Sequence, residues 1–392
     1  MKNDRTFLDK LLDGAGVEWK PLGKITDIKT GQPVSKHSIS QNPGIYPVIN
    51  SGREPLGFIN EWNTEDDPIG ITTRGAGVGS ITWQKGKYFR GNLNYSVTIK
   101  SQNELSIRFL YHILLHFQKE IHNLCSFTGI PALNASELKK LIIPVPPLHI
   151  QTEIVRILDT LTALTSELTS ELILRQKQYE YYREKLLSFD SLERLNKGWA
   201  KEKLIGLGEI GSIRMCKRIL KNQTSSIGDI PFYKIGTFGK EPDAYISKEL
   251  FQEYKQKYSY PKKGDILISA SGTIGRTVVF DGKDAYFQDS NIVWVENDER
   301  IVLNKYLFHF YKIAKWGAAE GGTIQRLYND NLRKVKIPVP PLEEQHRIVS
   351  ILDKFETLTN SITEGLPLAI EQSQKRYEYY RELLLSFPKL DN

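Results

Sequence analysis

The chain has 392 residues and a net charge of +7, long enough for two domains with separate cores and basic enough to suit a polyanionic partner. Its two cysteines, Cys125 and Cys216, exclude a disulfide framework and fit a reducing compartment. The Met1-Lys2-Asn3-Asp4-Arg5 start lacks the apolar core of a secretory signal, and no apolar run approaches the roughly 20 residues of a membrane span. A cytoplasmic protein without membrane contact is expected.

The first segment, residues 1–142, is rich in Gly, aromatic and β-branched residues. Short alternating runs such as Gly79-Ser80-Ile81-Thr82-Trp83, bounded by Gly, Asn and Asp, predict strands and turns. A helix is expected from Ile107 to His122. Gly75-Ala76-Gly77-Val78-Gly79 lacks the spacing of a dinucleotide-binding loop and reads as a turn between two strands.

Ile143-Pro144-Val145-Pro146-Pro147-Leu148 opens the second segment, residues 143–191. Proline fixes φ and drives its predecessor out of the helical region, so this run predicts a rigid, extended lead-in. No Pro or Gly follows until Gly198, so Leu148 to Phe189 can form one helix, on the order of 60 Å long. Its apolar stripe passes through Ile154, Ile157, Leu161, Leu164, Leu168 and Leu172, then Tyr179, Tyr182 and Leu186. A stripe that narrow calls for a partner helix.

Residues 192–336 return to the composition of the first segment, with a strand at Thr277-Val278-Val279-Phe280 and a helix from Leu303 to Lys315. Framework residues correspond between the two segments: Leu22-Gly23-Lys24-Ile25 with Leu207-Gly208-Glu209-Ile210, and Ile71 to Gly79 with Ile268 to Gly275 after one residue of slip. Polar residues differ, as expected of one fold presenting two surfaces.

The final segment, residues 337–392, repeats the second. Of the seventeen positions from Ile143 to Asp159, twelve recur identically between Ile337 and Asp353, including Gln151 as Gln345. Tyr179-Glu180-Tyr181-Tyr182-Arg183-Glu184 recurs as Tyr377-Glu378-Tyr379-Tyr380-Arg381-Glu382. A repeat this long is a duplicated module, too large for a solenoid unit. The second stripe runs through Ile348, Ile351, Phe355, Leu358 and Ile362, then Tyr377, Tyr380 and Leu384. Four extra residues around Gly365-Leu366-Pro367 predict a kink or break. If the first helix leads to the second globular segment and the second leads back, the two are antiparallel. Their seam would then be built from Leu161, Leu164, Leu168, Phe355, Leu358 and Ile362. The expected class is α+β: two similar globular α/β domains separated by two long, coiled-coil-like helices, with an internal pseudo-two-fold.

Catalytic signals are few. The chain has no Gly-x4-Gly-Lys-Ser/Thr phosphate loop, and Asn42-Pro43-Gly44-Ile45 departs from the Asn-Pro-Pro-aromatic pattern of amino-methyltransferases. His112 and His116 stand four apart with His122 and Cys125 nearby. No glutamate follows the first His, so they read as an ordinary half-exposed helix face and no metal is expected. Glu18-Trp19-Lys20 and Glu137-Leu138-Lys139 have a Glu-x-Lys form that three-residue patterns reach by chance.

Two variable globular segments alternating with two helical repeats resemble the specificity subunit of type I restriction-modification enzymes. The paired Ile-Pro-Val-Pro-Pro-Leu runs, the Gln and Ile-Leu-Asp that follow them, and Tyr-Glu-Tyr-Tyr-Arg-Glu near both helix ends carry the resemblance. Thr165-Ser166-Glu167-Leu168 followed by Thr169-Ser170-Glu171-Leu172 adds to it, being similar to the tandem tetrapeptide in one branch of that family. The resemblance implies a non-catalytic subunit with two target-recognition domains, each reading half of a bipartite DNA site. It implies helices that set the spacer and dock two methyltransferase subunits. Restriction subunits would join them, and S-adenosylmethionine, ATP and Mg would be held by those partners, with no cofactor in this chain.

Independent physics agrees. Two heads on one face of B-DNA sit about 34–36 Å apart, a span that a rigid helix pair can hold. Base readout favours polar side chains on loops. The candidates are Lys36, Arg53, Thr73, Arg74 and Asn94 in the first segment, and Lys217, Arg218, Ser271, Arg276, Gln288 and Arg326 in the second. Two rival readings stand beside this one: a structural adaptor joining proteins through its helices, and a free-standing DNA-modifying enzyme.

Overall fold

The computed structural model describes residues 7–52, 54–195, 204–317 and 326–388. The chain divides into two compact units, Met1–Thr169 with Ala369–Asn392, and Ser170–Leu368. Each unit therefore joins one globular segment to the beginning of its own helical repeat and the end of the other.

In the first unit a four-stranded antiparallel sheet runs in the order Thr26–Thr30, Asn94–Ile99, Ile69–Thr72, Ile81–Trp83. Ile69–Thr72 is buried at every residue, as an interior strand must be. A three-stranded sheet sets Pro43–Ile49 between Phe58–Ile59 and Phe89–Arg90, the last pairing parallel. Glu18–Pro21 pairs with Ile142–Val145, so the first proline of the Pro-Val-Pro-Pro run lies in a short ribbon. The expected helix from Ile107 divides into Ile107–His116 and Gln118–Asn123.

The second unit repeats this plan strand for strand. Its four-stranded sheet is Gly211–Met215, Ile292–Asn297, Ile266–Ser269, Thr277–Val279. Its three-stranded sheet sets Ile230–Tyr233 between Tyr245–Ile246 and Tyr286–Phe287, again parallel to the last. Leu204–Gly206 pairs with Lys336–Pro338. Registers correspond as well: Thr72 faces Asn94 across the ladder, and Ser269 faces Ile292.

The first helical repeat forms one helix, Leu148–Leu187, of 40 residues. The second does not. It forms Leu342–Asn360 and Leu366–Leu385, so the second of the two long helices expected is corrected to two shorter ones, with the break at the extra residues where a kink or break was predicted. The cause lies in the extra residues. Gly365 has φ +87°, and a Cβ there would lie 2.6 Å from the Thr357 carbonyl oxygen, so glycine turns the chain where a side chain would collide. Pro367 then sits in the first turn of the next helix, where its missing N–H costs nothing.

Within the first unit, Ile150, Ile154 and Leu158 share a core with Leu384, Leu385 and Phe387, while Thr165 Oγ1 lies 2.8 Å from Ser373 Oγ. The two helical pieces therefore run antiparallel. Within the second unit, Phe355 stacks on Tyr179 and Tyr182 at 6.1 and 5.7 Å. Leu161, Leu168 and Leu358 are half-buried, and Leu164 is 39% exposed. Ile362 is 79% exposed, which removes it from the seam: it lies beyond Asn360, where the helix has already ended.

Two paired contacts fasten each globular segment to its helix. Gln151, fully buried, accepts from Ser106 N at 2.8 Å and donates to the Glu104 and Pro146 carbonyls at 2.9 and 2.8 Å. Gln345, also fully buried, accepts from Leu303 N at 2.9 Å and donates to the Ile301 and Pro340 carbonyls at 2.9 and 2.8 Å. His112 Nε2 meets Asp159 at 2.8 Å, and His309 Nε2 meets Asp353 at 2.8 Å. His112 is thus no half-exposed residue but a fully buried one. Burial lowers the pKa of both imidazoles, with the carboxylates opposing the shift. Asp159 stays below the ordinary carboxylate range despite its burial, because Arg108 and His112 donate to it. No helix among the described residues is long and apolar enough to cross a membrane.

Candidate nucleic-acid interface

In each unit the interior strand of the four-stranded sheet runs into a glycine turn. After Thr72 the turn uses Gly75 and Gly79 at φ +94° and +78°; after Ser269 it uses Gly272 and Gly275 at +64° and +81°. A left-handed backbone there excludes most side chains at little cost to glycine. Each turn is then crossed by a later segment through one isolated bridge, Arg74 with Ala132 and Ser271 with Arg326. The flanking bonds match: Leu133 N to Thr73 O and Leu327 N to Ala270 O, both 2.8 Å. Thr73 therefore corresponds to Ala270, Arg74 to Ser271, and Ala132 to Arg326.

The predicted readers separate once placed. Lys36 is exposed in the first turn of the helix Lys36–Gln41, which Ser35 caps. Arg74 is exposed, whereas Arg53 lies outside the described residues. Thr73 is buried, so its side chain serves the framework. Asn94 is fully buried and accepts from Arg90 Nη1 at 2.7 Å, which removes it from the candidates. Sequence alone could not reveal this, because Asn94 faces inward only where Arg90 is also buried.

In the second unit Arg218, Gln288 and Arg326 line one cleft of about 570 Å³. Arg218 is exposed, and Lys217, also exposed, lies 5.2 Å from the centre of the Tyr258 ring. Gln288 Oε1 accepts from Ile235 N at 3.0 Å, leaving its amide nitrogen for a ligand. Ser271 is buried and donates to Asn291 Oδ1 at 2.9 Å, so it positions the cleft wall and is corrected from reader to support. Arg276 is half-buried and donates to the Phe238 carbonyl at 3.0 Å, away from the cleft-lining residues. Sequence reasoning passed over Lys221, Lys234 and Asn291, which also line the cleft. Lys221 stands four residues after Lys217 in a short basic run, the one signal that pointed to it.

Arg218, Lys221, Lys234 and Arg326 face Asp289 in this cleft, and Lys234 is further paired with Asp243 at 2.9 Å. The balance is cationic, which suits a phosphate backbone, and the remaining amides and guanidinium suit base edges. Among the described residues no group of three or more His, Cys, Asp or Glu side chains could hold a metal ion.

Comparison with known proteins gives the same assignment along the whole chain. Residues 15–175 and 196–372 each match the family model of the type I restriction modification DNA specificity domain. The chain is 61% identical over 405 residues to a Haemophilus influenzae protein assigned as a type I restriction enzyme specificity subunit, covering 99% of this chain and 100% of that one. It is 35% identical over 418 residues to the Escherichia coli type I restriction enzyme EcoR124I/EcoR124II specificity subunit, covering 99% and 98%. The fold is similar to the crystal structure of the S subunit of a type I restriction-modification system from M. genitalium, with a TM-score of 0.59, 20% identity and coverage of 97% and 98%. A chain from a structural study of type I restriction-modification assembly gives a TM-score of 0.56 at 16% identity, covering 95% and 98%.

Proposed function

Because the chain belongs to the type I restriction-modification DNA specificity family, as a specificity subunit with two DNA-specificity domains, we propose that residues 1–142 and 192–336 are its two target-recognition domains. Each reads one half of a bipartite, asymmetric site in double-stranded DNA. Residues 143–191 and 337–392 are the helical regions that fix the unspecified spacer. They also dock two methyltransferase subunits, which methylate adenine at N6 with S-adenosylmethionine. Restriction subunits add ATP- and Mg-dependent translocation and cleavage. This chain supplies specificity and no chemical step, and it works in the cytoplasm.

The observation that carries the reading is the doubled framework with different edges. Both units share strand order and register, yet the bridge at the end of the sheet presents Arg74 and Ala132 in one and Ser271 and Arg326 in the other. A single recognition surface would need no second copy, and a symmetric one would repeat its polar residues. Single-molecule methylome sequencing of cells with and without the gene tests this. One bipartite adenine-methylated motif should vanish with the gene; an unchanged methylome would refute the reading.

A further inference from the structure

Resting on the reading that the second unit recognises DNA bases, we infer that Arg326 reads a guanine in that unit's half-site. The surrounding cleft holds its guanidinium as a preformed fork. Among the described residues four cations line the cleft, and of these Arg326 is held in the way a base reader requires. Its backbone is fixed by the bridge to Ser271, and Leu327 next to it is buried and donates to the Ala270 carbonyl at 2.8 Å. Its Nη2 donates to Ser290 Oγ at 2.7 Å.

Ser290 is itself a marked position. Its φ is +52°, a left-handed conformation uncommon outside glycine. Strain of that kind persists only where neighbours enforce it, and it concentrates where function needs a fixed geometry. Here the neighbours are visible: Ser271 Oγ bonds Asn291 Oδ1 at 2.9 Å, Asn291 N bonds Asp289 O at 2.6 Å, and Ile292 N bonds Gln288 O at 3.1 Å. The strained serine aims its hydroxyl at Arg326.

One hydrogen bond to Ser290 uses one of the two Nη2 hydrogens; the second, with the donors on Nε and Nη1, forms none among the described residues, so one two-donor edge, Nη2 with Nη1 or Nη2 with Nε, stays open. Two parallel donors on one edge match the O6 and N7 acceptors of guanine in the major groove, the commonest specific contact of arginine. Lys221, exposed on a short helical turn, is by contrast a mobile point charge suited to a phosphate. The first unit supports the assignment by its difference. There the arginine stands on the opposite side of the equivalent bridge, as Arg74, and the position of Arg326 is Ala132.

The test uses the complex reconstituted with its methyltransferase subunits, scored by methylated motif and by DNA binding across a salt series. Arg326→Ala should relax discrimination at one G·C pair of the second half-site by roughly 5- to 150-fold. The first half-site should stay unchanged. Arg326→Lys keeps the charge, loses the fork and should relax the same pair, which guards against a folding failure of the alanine variant. Lys221→Ala should instead weaken all sequences equally and lower the salt slope by about one unit. The assignment to Arg326 is overturned if both its variants keep the motif intact. It is equally overturned if they weaken all sequences uniformly, as a phosphate contact would. Failure of the underlying reading looks different: replacing residues 192–336 entirely would then leave the second half-site unaltered.

Discussion

The two units solve the same interior with opposite chemistry. In the first, Arg90 is 3% exposed and donates to the Ile69, Tyr95 and Asp67 carbonyls, to Asn94 and to the Tyr88 hydroxyl. The ladder registers align five positions with the second unit. Asp67, Gly70, Tyr88, Arg90 and Asn94 become Gly264, Leu267, Ala285, Phe287 and Ile292. Gly70 is small because a Cβ there would lie 2.5 Å from Asn94 Oδ1. Where the arginine network is absent, leucine fills that space and the aromatic cluster of Phe232, Phe280, Phe287 and Trp294 takes over. By contrast, the glutamine and histidine–aspartate contacts that fasten domain to helix are retained in both. Duplication has thus preserved what sets geometry and changed what fills volume or faces outward.

That contrast can be broken deliberately. Phe287→Arg places in the second unit the residue that the first unit uses, but without Asp67, Tyr88 or Asn94 to receive it. An unpaired buried charge should destabilise that unit by about 5 kcal/mol. Arg90→Met removes the centre of the first network and should cost about 3 kcal/mol, because the buried Asn94 Oδ1 loses its donor and the carbonyls of Ile69 and Tyr95 lose a charge-assisted bond. Hydrogen exchange resolved by unit is the readout, each loss being confined to its own unit. If both substitutions destabilised both units alike, the separate-core account would fail.

The retained contacts predict equality instead. Gln151→Ala and Gln345→Ala each remove the partner of three backbone groups, one buried and two partly buried. Each should lower stability by about 2–3 kcal/mol in denaturant melts. A large effect at one glutamine and none at the other would show that the fastening is not duplicated.

Acidification should act on both units with a smaller effect. His112 and His309 are buried and their pKa values are lowered, so the folded state holds them neutral while the unfolded chain protonates them near pH 6.5. The unfolded state then binds more protons, and stability is lost as pH falls through about 6.5. The His112→Gln, His309→Gln variant should lose most of that dependence between pH 7 and 5. An unaltered slope would assign it to other groups.

Repeats, proline lead-ins and stripes made the architecture legible, because each is a local pattern with one structural answer. Glycine at 365 and proline at 367 located the break between the last two helices for the same reason. The site was less legible. Asn94 and Ser271 carry the chemistry of base readers, but their neighbours come from distant segments and turn them inward. His112 looked like a surface residue because Asp159 lies 47 residues away. Arg90 drew no notice, since its partners come from segments that only the fold brings together.

The central claim is that the two units read DNA independently on a shared framework. The most direct test replaces residues 1–142 with the equivalent segment of a relative and sequences the methylome of cells carrying the chimera. One half of the methylated motif should change, while the other half and the spacer remain as they were. A change in both halves, or in neither, would contradict the account.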